Sequence, residues 1–156
     1  MMQPLPIEYF RFEEDFMEDN IRCIPMIVRF KLDACGIKLK LKEWSKMTHE
    51  ERTFLAEQPI DSISDIHKYK EHLKQSIFKH TGNEATLLTI DLNPDWSLTD
   101  HLPLALKEKL EELDLRLSIE QWQELSTLQR FALLKLTRPG HENKNFPKAM
   151  KDFGLI

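Results

Sequence analysis

The chain has 156 residues, a formal net charge of −4, 41% apolar and 31% charged residues, and two cysteines. A domain of that length buries ~70% of the surface its unfolded chain exposes, so no metal or disulfide staple is required for a core. The negative balance argues against duplex DNA or anionic lipid as the main partner, because both need a positive footprint.

The N-terminus, "MMQPLPIEYF", lacks the basic head and apolar middle of a secretory signal. No apolar run approaches the ~20 residues that span a bilayer. The expected compartment is therefore the cytoplasm, without membrane or nucleic-acid partners. Next comes "RFEEDFMEDN", which sets Glu13, Glu14, Asp15, Glu18 and Asp19 among Phe12 and Phe16. It reads as an acidic, partly docked arm or as a contact surface for a basic partner.

A first helix begins near Pro25, where a missing N–H costs little, and ends at Gly36, a good residue just past a helix end. Cys23 and Cys35 bracket this pattern. Twelve helical residues span ~18 Å, beyond the ~7 Å reach of a disulfide. Two reduced thiols are expected, and no CxxC spacing suggests metal or redox chemistry. A short helix centred on Trp44 follows, and then a third that starts at a Thr48/Glu51 capping box and ends near Pro59. Ile63, Ile66, Leu73 and Ile77 form one stripe of a further helix that Gly82 stops. The stretch "ATLLTIDLNP", 85–94, alternates weakly and suits a short strand or an extended linker.

The second half repeats the first. At a shift of 78 residues, Pro25, Lys31, Leu32, Leu39, Trp44, Arg52 and Leu55 meet Pro103, Lys109, Leu110, Leu117, Trp122, Arg130 and Leu133. Average residue usage would give roughly two identities over that span. Ser118/Gln121 and Ser126/Gln129 supply capping boxes in the second copy. Leu41, Trp44 and Met47, then Ile119, Trp122 and Leu125, make the tryptophans core anchors rather than ligand platforms. The fold expected is a single all-α domain, 1–156. It comprises two similar three-helix units at about 24–58 and 102–136, related by a pseudo-twofold, and a bridging helix. A last short helix fits "PKAMKDFG".

Catalytic signatures are scarce. The chain has four glycines and no phosphate loop, HExxH or GxSxG. His67 and Glu71 are four apart, but an exposed polar face explains them, and His67 and His72 point in different directions. "KLKLK", 38–42, faces "RLSIE" in the second copy, so its charge is not part of the repeat. No catalytic residue, metal ligand or cofactor is expected. The stretch "TRPGHENKNFP", 137–147, differs in kind. Arg138, His141, Glu142, Asn143, Lys144 and Asn145 crowd together there without counterpart in the first copy. Such side chains hold carboxylate or phosphate and add directional bonds. Alternatively, they cap helix ends and satisfy buried backbone.

Two segments, "FEEDFMEDNIRCIPMIVRFKLDACGIKL" (12–39) and "LQRFALLKLTRPGHENKNFPKAMKDFGL" (128–155), resemble the small cyanobacterial proteins called nitrate reductase-associated or nitrate reductase maturation proteins. The resemblance implies a role beside assimilatory nitrate reductase, a molybdenum and iron–sulfur enzyme, and in its assembly. It brings no catalytic residues with it. The reading is a non-catalytic, chaperone-like binding protein. Its contact candidates are Arg138, His141, Glu142, Asn143, Lys144, Asn145, Glu13, Glu14 and Asp15, with Arg29 a weaker one. The alternative is a carrier or small enzyme for the molybdopterin dinucleotide, with Arg138, Lys144 and Lys148 on its phosphates. A transcription regulator fits worse, since neither candidate recognition helix, 49–57 or 127–137, is strongly basic.

Overall fold

A computed structural model describes Phe10, Glu13, residues 24–138 and residues 144–156. Eight α-helices and one two-stranded sheet occur among the described residues, in two compact units, Met1–Asp91 and Leu92–Ile156. No helix among them is long and apolar enough to cross a membrane.

In the first unit, α1 (Met26–Cys35) follows Pro25. A proline here sacrifices no hydrogen bond. The Met26 N–H is taken instead by Glu13 Oε1 at 2.8 Å. The helix ends at Gly36, whose φ of 75° is left-handed and whose N–H reaches the Leu32 carbonyl. A Cβ there would lie 2.9 Å from Ile90 Cγ1 and 3.0 Å from the Leu88 carbonyl oxygen. Conformation and close approach both require glycine at this corner.

Next, α2 (Leu41–Lys46) carries Trp44. Its N-terminus is satisfied by buried Glu43, which accepts the Lys40 N–H at 2.8 Å. Helix α3 (His49–Glu57) opens on the reciprocal Thr48/Glu51 box. Its far end is capped from α1: the buried Lys31 ammonium donates to the Ala56 and Gln58 carbonyls at 2.7 and 2.8 Å. A cation suits that pole of the helix dipole.

Helix α4 (Ile63–Thr81) starts at Ser62 and stops at Gly82, and it packs on α1, α2 and α3. Its buried face differs from the expected stripe. Ile63, in the first turn, is 89% exposed and Ile66 only half-buried. Tyr69, Leu73 and Ile77 form the face, and the Tyr69 hydroxyl donates to the Leu55 carbonyl at 2.7 Å. With Val28, Leu32, Ile37, Trp44 and Leu55 they make the core of this unit.

The small sheet is a departure from an entirely helical chain. β1 (Ile37–Lys38) pairs antiparallel with β2 (Thr86–Leu87), Ile37 opposite Leu87 and Lys38 opposite Thr86. The Leu88 N–H extends the ladder to the Gly36 carbonyl at 2.8 Å. Extended backbone emerging from the Gly36 corner needs partners for its polar groups, and residues 86–88 supply them.

In the second unit, a 3-10 turn (Asp95–Ser97) precedes α5 (Leu104–Glu112), α6 (Ile119–Glu124), α7 (Thr127–Lys135) and α8 (Phe146–Asp152). Pro103 precedes α5 as Pro25 precedes α1. Asp114, at φ 54°, turns the chain out of α5, and the Leu115 N–H closes on the Leu110 carbonyl. Aspartate tolerates this conformation better than most residues. The Ser118/Gln121 and Ser126/Gln129 boxes start α6 and α7. Leu106, Leu110, Trp122, Phe131, Leu133, Leu136, Phe146 and Met150 are buried. The Trp122 indole N–H donates to the Leu98 carbonyl at 2.9 Å.

Candidate functional site

The polar stretch after α7 is described at both ends. Arg138 and Lys144 are exposed, as is Lys148 on α8. His141, Glu142 and Asn143 lie outside the described residues. Asn145 does not share the exposure of its neighbours. It is 1% exposed at the start of α8, and its Oδ1 has no hydrogen-bond partner. A buried amide carbonyl left without a partner is costly, by about 1–3 kcal/mol. The apolar Phe146 and Met150 beside it in sequence, both fully buried, are what draw the start of α8 inward.

Of the acidic arm, Glu13 is described, and its carboxylate turns inward. It is 4% exposed, with Oε2 accepting the Phe10 N–H and Oε1 the Met26 N–H. An anion over the first turn of α1 favours that helix end. Glu14, Asp15, Glu18, Asp19 and Cys23 lie outside the described residues. Arg29 donates through Nε to the Ile24 carbonyl at 2.9 Å and is only half-buried.

Among the described residues, one titratable cluster involves none of the contact candidates named from the sequence. It joins the start of α3 to the second half of α4. His80 Nε2 lies 2.7 Å from Glu51 Oε1. Burial alone would raise the Glu51 carboxyl. Hydrogen bonds from the Thr48 backbone, His80, Ser76 and the Thr48 hydroxyl outweigh it and bring the carboxyl to about 2. Glu51 is therefore a permanent anion near neutral pH, unsuited to proton transfer. His72 stacks on Phe54 with ring centroids 3.8 Å apart. Its buried Nε2 has no hydrogen-bond partner. Burial lowers its pKa, against the pull of the Glu51 charge, so the imidazole is neutral. Ser76 and His80, four apart on one helix, offered a hint of a shared face. Their meeting with Glu51 spans far more sequence than local periodicity can reveal.

Two arginines serve the tryptophans. Arg52 sits 5.4 Å from the Trp44 ring centre and donates to the Trp44 and Ser45 carbonyls. Arg130 sits 6.0 Å from the Trp122 ring and donates to the Trp96 and Leu125 carbonyls. Both guanidinium groups are shifted down by burial. Burial also pushes the Cys35 thiol up to about 11, against the Ile37 backbone hydrogen bond, which leaves it a protonated, inert group. His67 is exposed, and Glu71 pairs loosely with Lys74 at 3.9 Å. Among the described residues, no group of three or more His, Cys, Asp or Glu side chains is placed to hold a metal ion.

No curated protein and no solved structure is significantly similar to this chain. A family model does match, and it covers residues 9–153, both compact units included. The chain belongs to the family of conserved nitrate reductase-associated proteins.

Proposed function

We propose that this protein binds assimilatory nitrate reductase, a molybdenum and iron–sulfur enzyme, and assists its maturation in the cytoplasm without catalysing a reaction of its own. The observation that carries this reading is the family match across nearly the whole chain. The proposed contact residues are exposed Arg138 and Lys144, the stretch between them in sequence that holds His141, Glu142 and Asn143, and buried Asn145. Cations on an exposed rim steer an acidic partner and set association rate more than final affinity. Glu14 and Asp15 form a second contact, and Glu13 anchors that arm to α1.

We also infer that residues 24–58 and 102–136 are two copies of one three-helix unit, and that the whole chain works as one domain. Several features recur at the 78-residue shift. Prolines 25 and 103 precede helices, and left-handed residues Gly36 and Asp114 end them. Lys31 and Lys109 are buried, and so are Trp44 and Trp122. Arg52 and Arg130 lie over those indoles.

The test is a pull-down of nitrate reductase expressed with and without its molybdenum cofactor. Preferential capture of the cofactor-free enzyme, lost in Arg138→Ala/Lys144→Ala, is the expected result. Equal capture of both forms refutes the maturation role, and full capture by the double variant refutes the surface. A protein that captures neither form but co-purifies with pterin fluorescence would instead be a carrier of the molybdopterin dinucleotide.

A further inference from the structure

Four exposed lysines, Lys38, Lys40, Lys42 and Lys46, crowd one corner of the first unit. Extended backbone leads from β1 into α2, with Ile37 and Leu39 buried and Lys38 and Lys40 exposed. Residues two apart on such a segment share a face and stand ~7 Å apart. On α2, Lys42 and Lys46 are four apart and also share a face. The acid of this stretch, Glu43, is turned inward. It is 6% exposed, and its Oε1 is taken up by the Lys40 N–H. Among the described residues, no carboxylate forms an ion pair with any of the four lysines. Leu41, between two of them in sequence, is 53% exposed.

Folding of this corner does not require the charge. At the 78-residue shift, α6 carries Glu120 and Glu124 where α2 carries Lys42 and Lys46, and all four are exposed. Ser118 stands in place of Lys40. Each helix nevertheless buries its tryptophan fully, and Gln121 accepts the Ser118 N–H just as Glu43 accepts that of Lys40. Like charges four apart on a helix repel, so the lysines weaken α2 slightly rather than support it. On a chain of net charge −4, they make a local positive site that steers an anionic group to one place.

We propose that this corner docks an acidic segment of a partner protein, with Leu41 as the apolar contact and the four lysines on glutamate or aspartate side chains. It is independent of the contact residues proposed at 138–145, which belong to the second unit. An ammonium group is a point charge that suits single, exposed carboxylates. Single-stranded nucleic acid is held by open aromatic faces as well as by cations, and the ring of this stretch, Trp44, is fully buried. An anionic bilayer takes up a long amphipathic helix through its apolar face, whereas α2 has six residues and exposes one large apolar side chain.

Fluorescence anisotropy of a labelled peptide of alternating glutamate and leucine tests this on the full chain, at low and at physiological salt. Phosphatidylserine vesicles and a thymidine oligonucleotide are the rival probes. Lys42→Glu/Lys46→Glu copies the residues that α6 carries, so helicity should hold. Lys68→Glu/Lys107→Glu makes the same change in net charge at exposed positions elsewhere. The expected result is peptide binding that weakens with salt, falls about tenfold in Lys42→Glu/Lys46→Glu and barely changes in the control. Lysine acetylation read by mass spectrometry gives an answer without substitution: bound peptide should shield Lys38, Lys40, Lys42 and Lys46 and leave Lys68 and Lys107 reactive. Absence of peptide binding at low salt overturns the proposal, as does equal loss in the two variants or uniform acetylation. Tighter binding of vesicles or oligonucleotide than of the peptide overturns it too. A wild type that dimerises in sedimentation velocity, and loses the dimer in Lys42→Glu/Lys46→Glu, overturns it in favour of a second copy.

Discussion

Replacing Glu51 by glutamine isolates one charge. Gln129 already makes the same capping box at the start of α7, so an amide preserves the box geometry. What Glu51→Gln removes is the anion that His80, Ser76 and the Thr48 backbone stabilise. Folding lowers the carboxyl from the usual 4.5 to about 2. At 1.36 kcal/mol per pH unit, that difference is worth about 3 kcal/mol. Solvent reaches one edge of the cluster, where the Glu51 side chain is 13% exposed, and screening there reduces the figure to about 2 kcal/mol. Because the folded-state pKa is the lower one, the stabilisation is complete above pH 4.5 and is lost as pH falls toward 2. Urea unfolding followed by circular dichroism at pH 7 and at pH 2.5 gives the comparison. The variant should be less stable by about 2 kcal/mol at neutral pH, and the gap should shrink to well under half of that in acid. An equal gap at both pH values would mean that Glu51 acts through packing or capping alone, and the charge argument would be wrong.

The two helix-ending glycines of the first unit should differ. Gly82→Ala meets nothing within 4 Å and should cost about 1 kcal/mol for its left-handed backbone. Gly36→Ala adds contact with Ile90 and the Leu88 carbonyl, and should cost about 2–4 kcal/mol in thermal or urea unfolding. Equal costs would refute the close approach. Glu13→Ala removes the anion from the Met26 N–H and should lower stability by about 1–2 kcal/mol; a surface acid would show almost no change. In a Cys23→Ser background, Cys35 should resist a thiol reagent at pH 8 and react at the rate of unfolding, since its pKa is about 11. Rapid labelling of the native protein would contradict its burial.

Local signals were legible in the sequence and distant ones were not. The Thr48/Glu51, Ser118/Gln121 and Ser126/Gln129 boxes join residues three apart, so they can be read without a fold. Gly36 and Gly82 mark helix ends for the same reason. Asp114 takes the same left-handed role as Gly36 but carries no such label, because aspartate, unlike glycine, is as common in helices, caps and ordinary turns as in that region. The Lys31 cap on α3 and the Glu51–His80 pair each link residues more than twenty apart. The pairing of Ile37 with Leu87 is longer still, so residues 85–94 suggested extension without naming a partner. Glu13 illustrates the cost of reading charge as exposure. In a run of acids it looks like surface, yet its carboxylate completes a helix thirteen residues away. Asn145 was grouped with its polar neighbours, whereas the apolar residues that follow it set its depth.

The paired indoles have a practical consequence. Trp44 belongs to Met1–Asp91, while Trp96 and Trp122 belong to Leu92–Ile156. Trp44 and Trp122 are fully buried under a guanidinium, so each half carries its own intrinsic fluorophore with a blue-shifted native emission. With Trp96 and one of the buried pair replaced by phenylalanine, the remaining emission follows a single half through a denaturant titration. Coincident midpoints from the two reporters would mark one cooperative body. Separated midpoints would rank the halves by stability.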